Sequence, residues 1–230
     1  MAIILNIDTS SKYCSIAVAQ DGEVIFGLES SKEMDHSVSL APFVEKAIEF
    51  IKQHKYELDA VSVTIGPGSY TGLRIGLSMA KGLTFGLSLP LITLSALEVI
   101  AVRSLFSDSQ IDGDEIIVAM MDAGRMEVYS GVYDLRLNHL QEEAPEILNE
   151  KSYIDLQKKR KVIFAGDGVK KFETVYSGKN GTWKCTAMPH AKYMASLSEL
   201  KFRKKEFTDI AYSAPRYLKN YNAVKSKSKL

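Results

Sequence analysis

A helix that is apolar on nearly every side must be covered on nearly every side, and residues 71–86 encode one. Leu73, Leu77, Ala80 and Thr84 share one face at 3.6-residue spacing, Ile75, Met79 and Leu83 lie around the other side, and Arg74 and Lys81 are the only charges. A sheet covers one face of such a helix; the other needs a neighbouring helix or a second subunit. Gly72, Gly76, Gly82 and Gly86 sharpen the demand. An interior helical glycine costs about 1 kcal/mol relative to alanine, and several together point to close approach by another group. The preceding helix carries a single stripe, Leu40, Val44, Ala47, Ile48 and Ile51, with Pro42 expected in its first turn. These two helices are therefore expected to form half of an intermolecular bundle, burying about 1,600 Å² in total. Its contacts would be Leu40, Val44, Glu45 and Ile48 on the first helix. Thr71, Gly72, Arg74, Ile75, Gly76, Met79 and Leu83 would supply the second. A helix enclosed within its own domain is the plainer alternative, and pattern alone leaves it open.

Around these helices the chain alternates strand and helix. Apolar runs at Ile3–Ile7, Tyr13–Ala19 and Val24–Leu28 read as a meander, with Asp21-Gly22 supplying the two positive φ angles of a tight hairpin. Ala60–Ile65, Leu89–Leu94 and a helix over Ser95–Leu105 complete a first unit. After a polar loop, Ser107 to Asp114, the pattern restarts with strands at Ile116–Met121, Val128–Tyr133 and Val162–Ala165 and a helix over Ala191–Phe202. The partial repetition predicts two related α/β lobes, 1–106 and 107–222, and a basic tail, 223–230, too polar to pack.

A chain of 230 residues that is 46% hydrophobic can bury roughly 70–75% of its unfolded surface. Net charge is +1, but it is unevenly spread: residues 1–115 carry 8 Lys/Arg against 15 Asp/Glu, and residues 116–230 carry 21 against 13. That asymmetry suggests different partners for the two halves. More plainly, Lys158 to Lys161 and Lys201 to Lys205 are solvated helix ends. Two cysteines, Cys14 and Cys185, cannot build a disulfide framework or a four-ligand zinc site. Residues 1–5 read as a strand rather than a leader, and no run approaches the length of a membrane span, so a cytoplasmic protein is expected.

Two strings carry candidate chemistry. Asp8, Thr9 and Ser10 end the first strand, where hydroxyls and turn N–H groups can solvate phosphate and a carboxylate can hold a cation. The same residues also begin an ordinary turn. Gly66-Pro67-Gly68-Ser69 leads into the second helix, whose free N–H groups suit an anion. The Gly-Lys-Ser/Thr ending of a P-loop is absent. Gly166-Asp167-Gly168 follows a later strand and could touch a nucleoside, although such loops are common. Asp122 and Arg125 read as a strand end entering a turn. No Ser/His/Asp set can be assembled, and His36, His54, His139 and His190 include no pair within one helical turn.

The run from Gly66 to Gly76, with Ile7 to Ser10, His36-Ser37, Met121 to Arg125, Gly166 to Gly168 and Pro215 to Lys219, resembles the TsaB (YeaZ) family over nearly the whole chain. The resemblance implies a two-lobed α/β architecture of the actin/Hsp70/sugar-kinase (ribonuclease H-like) class with a reduced second lobe. The catalytic relative TsaD carries two histidines on the helix after the strand equivalent to Leu89–Leu94. Matched on Pro90-Leu91-Ile92, those positions fall on Ala96 and Ile100. The resemblance thus implies a non-catalytic scaffold without metal or cofactor that activates a TsaD-like transferase in tRNA threonylcarbamoyladenosine formation. A TsaE-like ATPase would dock at the junction, tRNA would be met only within the complex, and the isolated chain could self-pair. Asp8, Thr9, Ser10 and Gly66 to Ser69 would be relics of a nucleotide cleft or would shape the interface, with Gly166 to Gly168 on the adenosine side of that cleft. Two rivals stand: a small-molecule kinase or ATPase with Asp8 as acid–base or Mg²⁺ anchor, and a homodimeric binding protein.

Overall fold

The computed structural model describes residues 1–106, 113–176, 181–184 and 186–219. Cys185, most of the polar loop after Phe106 and the tail 223–230 lie outside them. Both lobes are built on the same sheet. In the first, β1 (Ile3–Asp8), β2 (Ser15–Gln20) and β3 (Glu23–Glu29) form the expected meander, and β4 (Ala60–Gly66) and β5 (Leu91–Ser95) add in parallel beside β1, giving the order β3-β2-β1-β4-β5. In the second, β6 (Ile116–Asp122), β7 (Glu127–Asp134), β8 (His139–Ile147), β9 (Val162–Ala165) and β10 (Gly181–Lys184) repeat that order as β8-β7-β6-β9-β10. The repeated mixed sheet is the two-lobed α/β fold of the actin/Hsp70/sugar-kinase class.

Local chemistry sets the element ends. Asp21 and Gly22 both have positive φ, 51° and 84°, as the hairpin between β2 and β3 requires. The Asp21 carboxylate also accepts the Ala2 N–H at 3.0 Å. Ser95 caps α3 (Ala96–Leu105) through a capping box with Glu98. Helix α1 (His36–Gln53) starts before the stripe predicted for it, so Pro42 lies inside the helix and not in its first turn. The ring is tolerated there because Pro42 and Val38, whose carbonyl loses a donor, both sit on the exposed side. Helix α2 (Tyr70–Leu87) ends at Ser88, which adopts the left-handed conformation at φ 54°.

Helices α1 and α2 cover one face of the first sheet. Leu40, Val44, Ala47 and Ile51 meet Leu77 and Ala80 over Leu5, Ile7, Ile16 and Val63. The opposite face is covered by α3, a 3₁₀ turn (Ala191–Met194) and α6 (Ala195–Arg203). Residues 191–203 therefore pack on the first sheet, so the expected division at 107–222 follows sequence and not packing. Helix α3 is wedged between lobes: Val99 and Val102 face the first sheet, and Ala96, Leu97 and Ile100 face Ile117, Ala119 and Ile163 of the second. Among the described residues, the outer face of the second sheet is covered by α4 (Ile154–Lys159) and α5 (Val169–Glu173), short helices against 18 residues each for α1 and α2. Tyr153, Phe164, Phe172, Tyr176 and Trp183 fill that layer with ring contacts instead. The basic runs are helix ends: Lys158 and Lys159 close α4, and Lys201 and Arg203 close α6.

Cys14 is fully buried, and burial, with Asp8 and Asp35 nearby, pushes its thiol up to about 12. In a Cys185→Ser background, native protein at pH 8 should resist a thiol reagent and react in full on unfolding in urea. Rapid labelling of the native form would contradict this placement.

Candidate functional site

The turn after β1 and the glycine run before α2 are pressed together. A Cβ built on Gly68 would lie 2.2 Å from the Ser10 carbonyl oxygen, one on Gly72 2.2 Å from that of Thr9, and one on Gly76 2.2 Å from Thr9 Oγ1. The approach is stitched by hydrogen bonds: Ser69 N–H donates to Ser10 O at 2.8 Å, and Thr9 Oγ1 donates to Gly72 O at 2.8 Å. His36 lies against the same row, its Cδ2 3.1 Å from the Gly72 Cβ position. Gly66, at φ 127°, admits the Arg216 carbonyl to 2.5 Å of its Cβ position. These glycines are present for internal backbone contact.

Asp8 sits beneath that turn and is fully buried. Its Oδ1 accepts the Ser10 N–H at 3.1 Å, the Ser10 hydroxyl at 2.6 Å and the Thr64 hydroxyl at 2.6 Å. The second carboxylate oxygen, Oδ2, is buried and has no hydrogen-bond partner among the described residues. Buried Thr9, Gly66 and Pro67 are likewise not among the residues that line the groove between the lobes. The groove itself, about 500 Å³, brings Ser10, Gly68 and Ser69 opposite Asp167. Gly166 and Gly168 pack on Met120 behind it. Sequence reasoning missed Lys12, Lys170, Lys171, Met34 and Met188, which also line it and carry no motif. Its charges are largely internally paired: Lys171 meets Asp122 and the Glu127 carbonyl, Lys12 meets Glu33 at 3.6 Å, and Asp167 accepts the Asp122 N–H at 2.9 Å. Burial, with Asp122 close by, holds the Asp167 carboxyl above its usual range. Asp122 also accepts the Gly124 N–H at 2.6 Å, and Arg125 adopts φ 48°, so both belong to a turn. Among the described residues, no three His, Cys, Asp or Glu side chains converge as a metal set.

The proposed docking residues divide. Leu40, Val44, Gly72 and Gly76 are buried within the monomer and offer no surface, which corrects their assignment to a partner. Thr71, Arg74 and Glu45 are exposed; Ile48, Ile75, Met79 and Leu83 are half-buried, one edge in the core. Arg74, Ile75, Ser78, Met79, Gly82 and Leu83 line an open groove of about 590 Å³ on α2. Phe85 beyond it is 81% exposed. Cβ positions on Gly82 and Gly86 meet nothing within 4 Å.

One helix thus offers a paired test. Gly76→Ala should destabilise the protein by about 2 kcal/mol or more, because Thr9 cannot retreat from a packed turn. Gly82→Ala should be neutral or stabilise by up to about 1 kcal/mol through helix propensity alone. Urea denaturation checks both, and equal effects would contradict the division.

The model of the family TsaD: tRNA N6-adenosine threonylcarbamoyltransferase matches residues 30–229. The tRNA threonylcarbamoyladenosine biosynthesis protein TsaB of Bacillus subtilis is 30% identical over 221 residues, covering 94% of this chain and 93% of that one. TsaB of Haemophilus influenzae is 26% identical over 226 residues, with 94% and 93% covered. The solved structure of YeaZ from Pseudomonas aeruginosa superposes with a TM-score of 0.80 at 25% identity over 95% of this chain and all of that one. A tRNA N6-adenosine threonylcarbamoyltransferase of Thermosipho africanus, by contrast, aligns over 39% of this chain and 32% of its own length. With 30% identity to B. subtilis TsaB across nearly the whole of both chains, the chain belongs to the TsaB (YeaZ) family.

Proposed function

We propose that this chain serves tRNA threonylcarbamoyladenosine biosynthesis as a non-catalytic scaffold that binds and activates a TsaD-like transferase. The observation that carries the reading is the open side of α2. Its groove is apolar, and among the described residues nothing stands within 4 Å of the Cβ positions of Gly82 and Gly86 to account for them. Their helix-propensity cost makes sense if a partner helix approaches closely. The relatives' names supply the pathway, and the TsaD family match supplies a partner of related fold. Ala96 and Ile100, where the resemblance would place a transferase's paired imidazoles, are fully buried apolar residues between the lobes. In this reading TsaD transfers the threonylcarbamoyl group, a TsaE-like ATPase docks at the junction, and tRNA is met only within the assembly. The isolated chain can self-pair through the same groove. No helix of the described residues is long and apolar enough to cross a membrane, and the work is assigned to the cytoplasm.

Gly82→Leu tests the face directly. Size-exclusion and calorimetric titration against the TsaD-like subunit should show affinity falling about tenfold or more, with the melting temperature unchanged because the new side chain enters open space. Binding equal to wild type would remove α2 as the docking face. ATP titrated into the chain alone should give no heat; micromolar binding would favour the kinase-like rival.

A further inference from the structure

Helix α2 has no acidic residue, and its groove carries one guanidinium, that of Arg74. Two tyrosines hold it. Arg74 Nε donates to the Tyr217 hydroxyl at 3.1 Å, a terminal nitrogen donates to the Tyr70 hydroxyl, and Cζ stands 4.0 Å over the Tyr70 ring. Tyr70 and Tyr217 stack at 4.9 Å between centroids. These contacts use two of the five N–H donors of a guanidinium, and among the described residues no other hydrogen bond to Arg74 is made. Among the described residues, no carboxylate forms an ion pair with Arg74.

Tyr217 is itself fixed in place. Arg216 N–H donates to Ile65 O at 2.7 Å, its guanidinium meets Glu143 at 2.8 Å, and Lys219 meets Glu127 at 2.6 Å. The Glu143 side chain is fully buried and also accepts the Tyr133 hydroxyl at 2.7 Å and the Ser95 hydroxyl. Lifting this segment would strand a buried carboxylate, so Tyr217 is a fixture of the surface and not a displaceable lid.

We infer that Arg74, pre-oriented by Tyr70 and Tyr217, is a carboxylate receptor on the docking face, and that the partner's contact helix is apolar and carries one Asp or Glu that reaches it. The inference rests on the docking reading of α2 and adds the partner's chemistry to it. A forked donor held flat suits a planar carboxylate. Ile75, Met79 and Leu83 beside it give no second cation for a polyanion such as nucleic acid. A second copy docking α2 on α2 would bring Arg74 towards Arg74 and supply no carboxylate from either helix, which favours a different subunit.

The test is calorimetric titration of the TsaD-like subunit against wild type, Arg74→Ala, Arg74→Lys, Tyr217→Phe and Gly82→Leu, at about 50 and about 500 mM salt. Arg74→Ala should weaken binding about tenfold or more and flatten its salt dependence. Arg74→Lys keeps the charge and stem, guards against misfolding, and should recover only part of the loss. Tyr217→Phe removes the hydroxyl that orients Nε and should fall between. Arg74→Glu should be rescued by reversing the matching carboxylate on the partner helix. Arg74→Ala within about twofold of wild type while Gly82→Leu abolishes binding would leave the docking face standing and overturn the receptor. No complex with wild type would overturn both, and an effect confined to self-association would overturn the choice of partner.

Discussion

The seat of the Thr9-Ser10 turn against Gly68, Gly72 and Gly76 is the constraint on which the first lobe depends. Three Cβ positions would each fall 2.2 Å from that turn, a distance no side chain tolerates. The contact ties the end of β1 to the start of α2 and fixes the angle at which α2 crosses the sheet. Because α1 packs against α2 over the same core, that helix is placed by the same contact. It also decides chemistry. The loop N–H that could have met a phosphate donates to Ser10, and one oxygen of the Asp8 carboxylate, Oδ1, is taken up by two hydroxyls and a turn N–H, while Oδ2 is buried with no hydrogen-bond partner among the described residues. The elements that resemble a nucleotide site are consumed in holding each other.

Four glycines on one helix thus have two different causes. Gly72 and Gly76 answer to their own chain, while Gly82 and Gly86, further along, meet nothing among the described residues. The sequence spacing could not separate them, since both pairs satisfy the same rule of close approach. What separates them is whether a turn from a strand some sixty residues earlier happens to lie opposite, a tertiary fact. The same limit explains why Leu40 and Val44 were assigned to a partner. A single apolar stripe says that a face is covered without saying by what.

The sheet strands of the first lobe were legible because each is a short apolar run closed by a turn signal, and Asp21-Gly22 is a turn signal with a backbone reason. The architecture was legible because the pattern recurs. The second lobe was read less fully. Strand β8, with Glu142, Pro145 and Glu146 on or near its surface, is a polar edge strand that deters pairing, and its one buried residue is the charged Glu143, so no apolar run marks it. Helices of six and five residues contain too little periodicity to register. The helix covered on nearly every side proved to be α3, not α2. Apart from Glu98, the residues from Ala96 to Val102 are buried because two sheets, and not one, lie against them.

That wedge gives the lobes different freedom to change. Substituting a polar metal ligand at Ala96 or Ile100 would put an imidazole into a dry seam between sheets, where an unpaired polar group is costly. The seam is closed at its rim by the same chain end that holds Tyr217: Arg216 reaches from the end of β4 in the first lobe to Glu143 on β8 in the second. Glu143 in turn receives Ser95, the residue that caps α3. One buried carboxylate therefore connects the cap of the central helix, an edge strand of the second lobe and the segment that shapes the open side of α2. A surface assembled from helix and chain end, and anchored through a charge that cannot be left bare, has the rigidity that binding in one geometry requires.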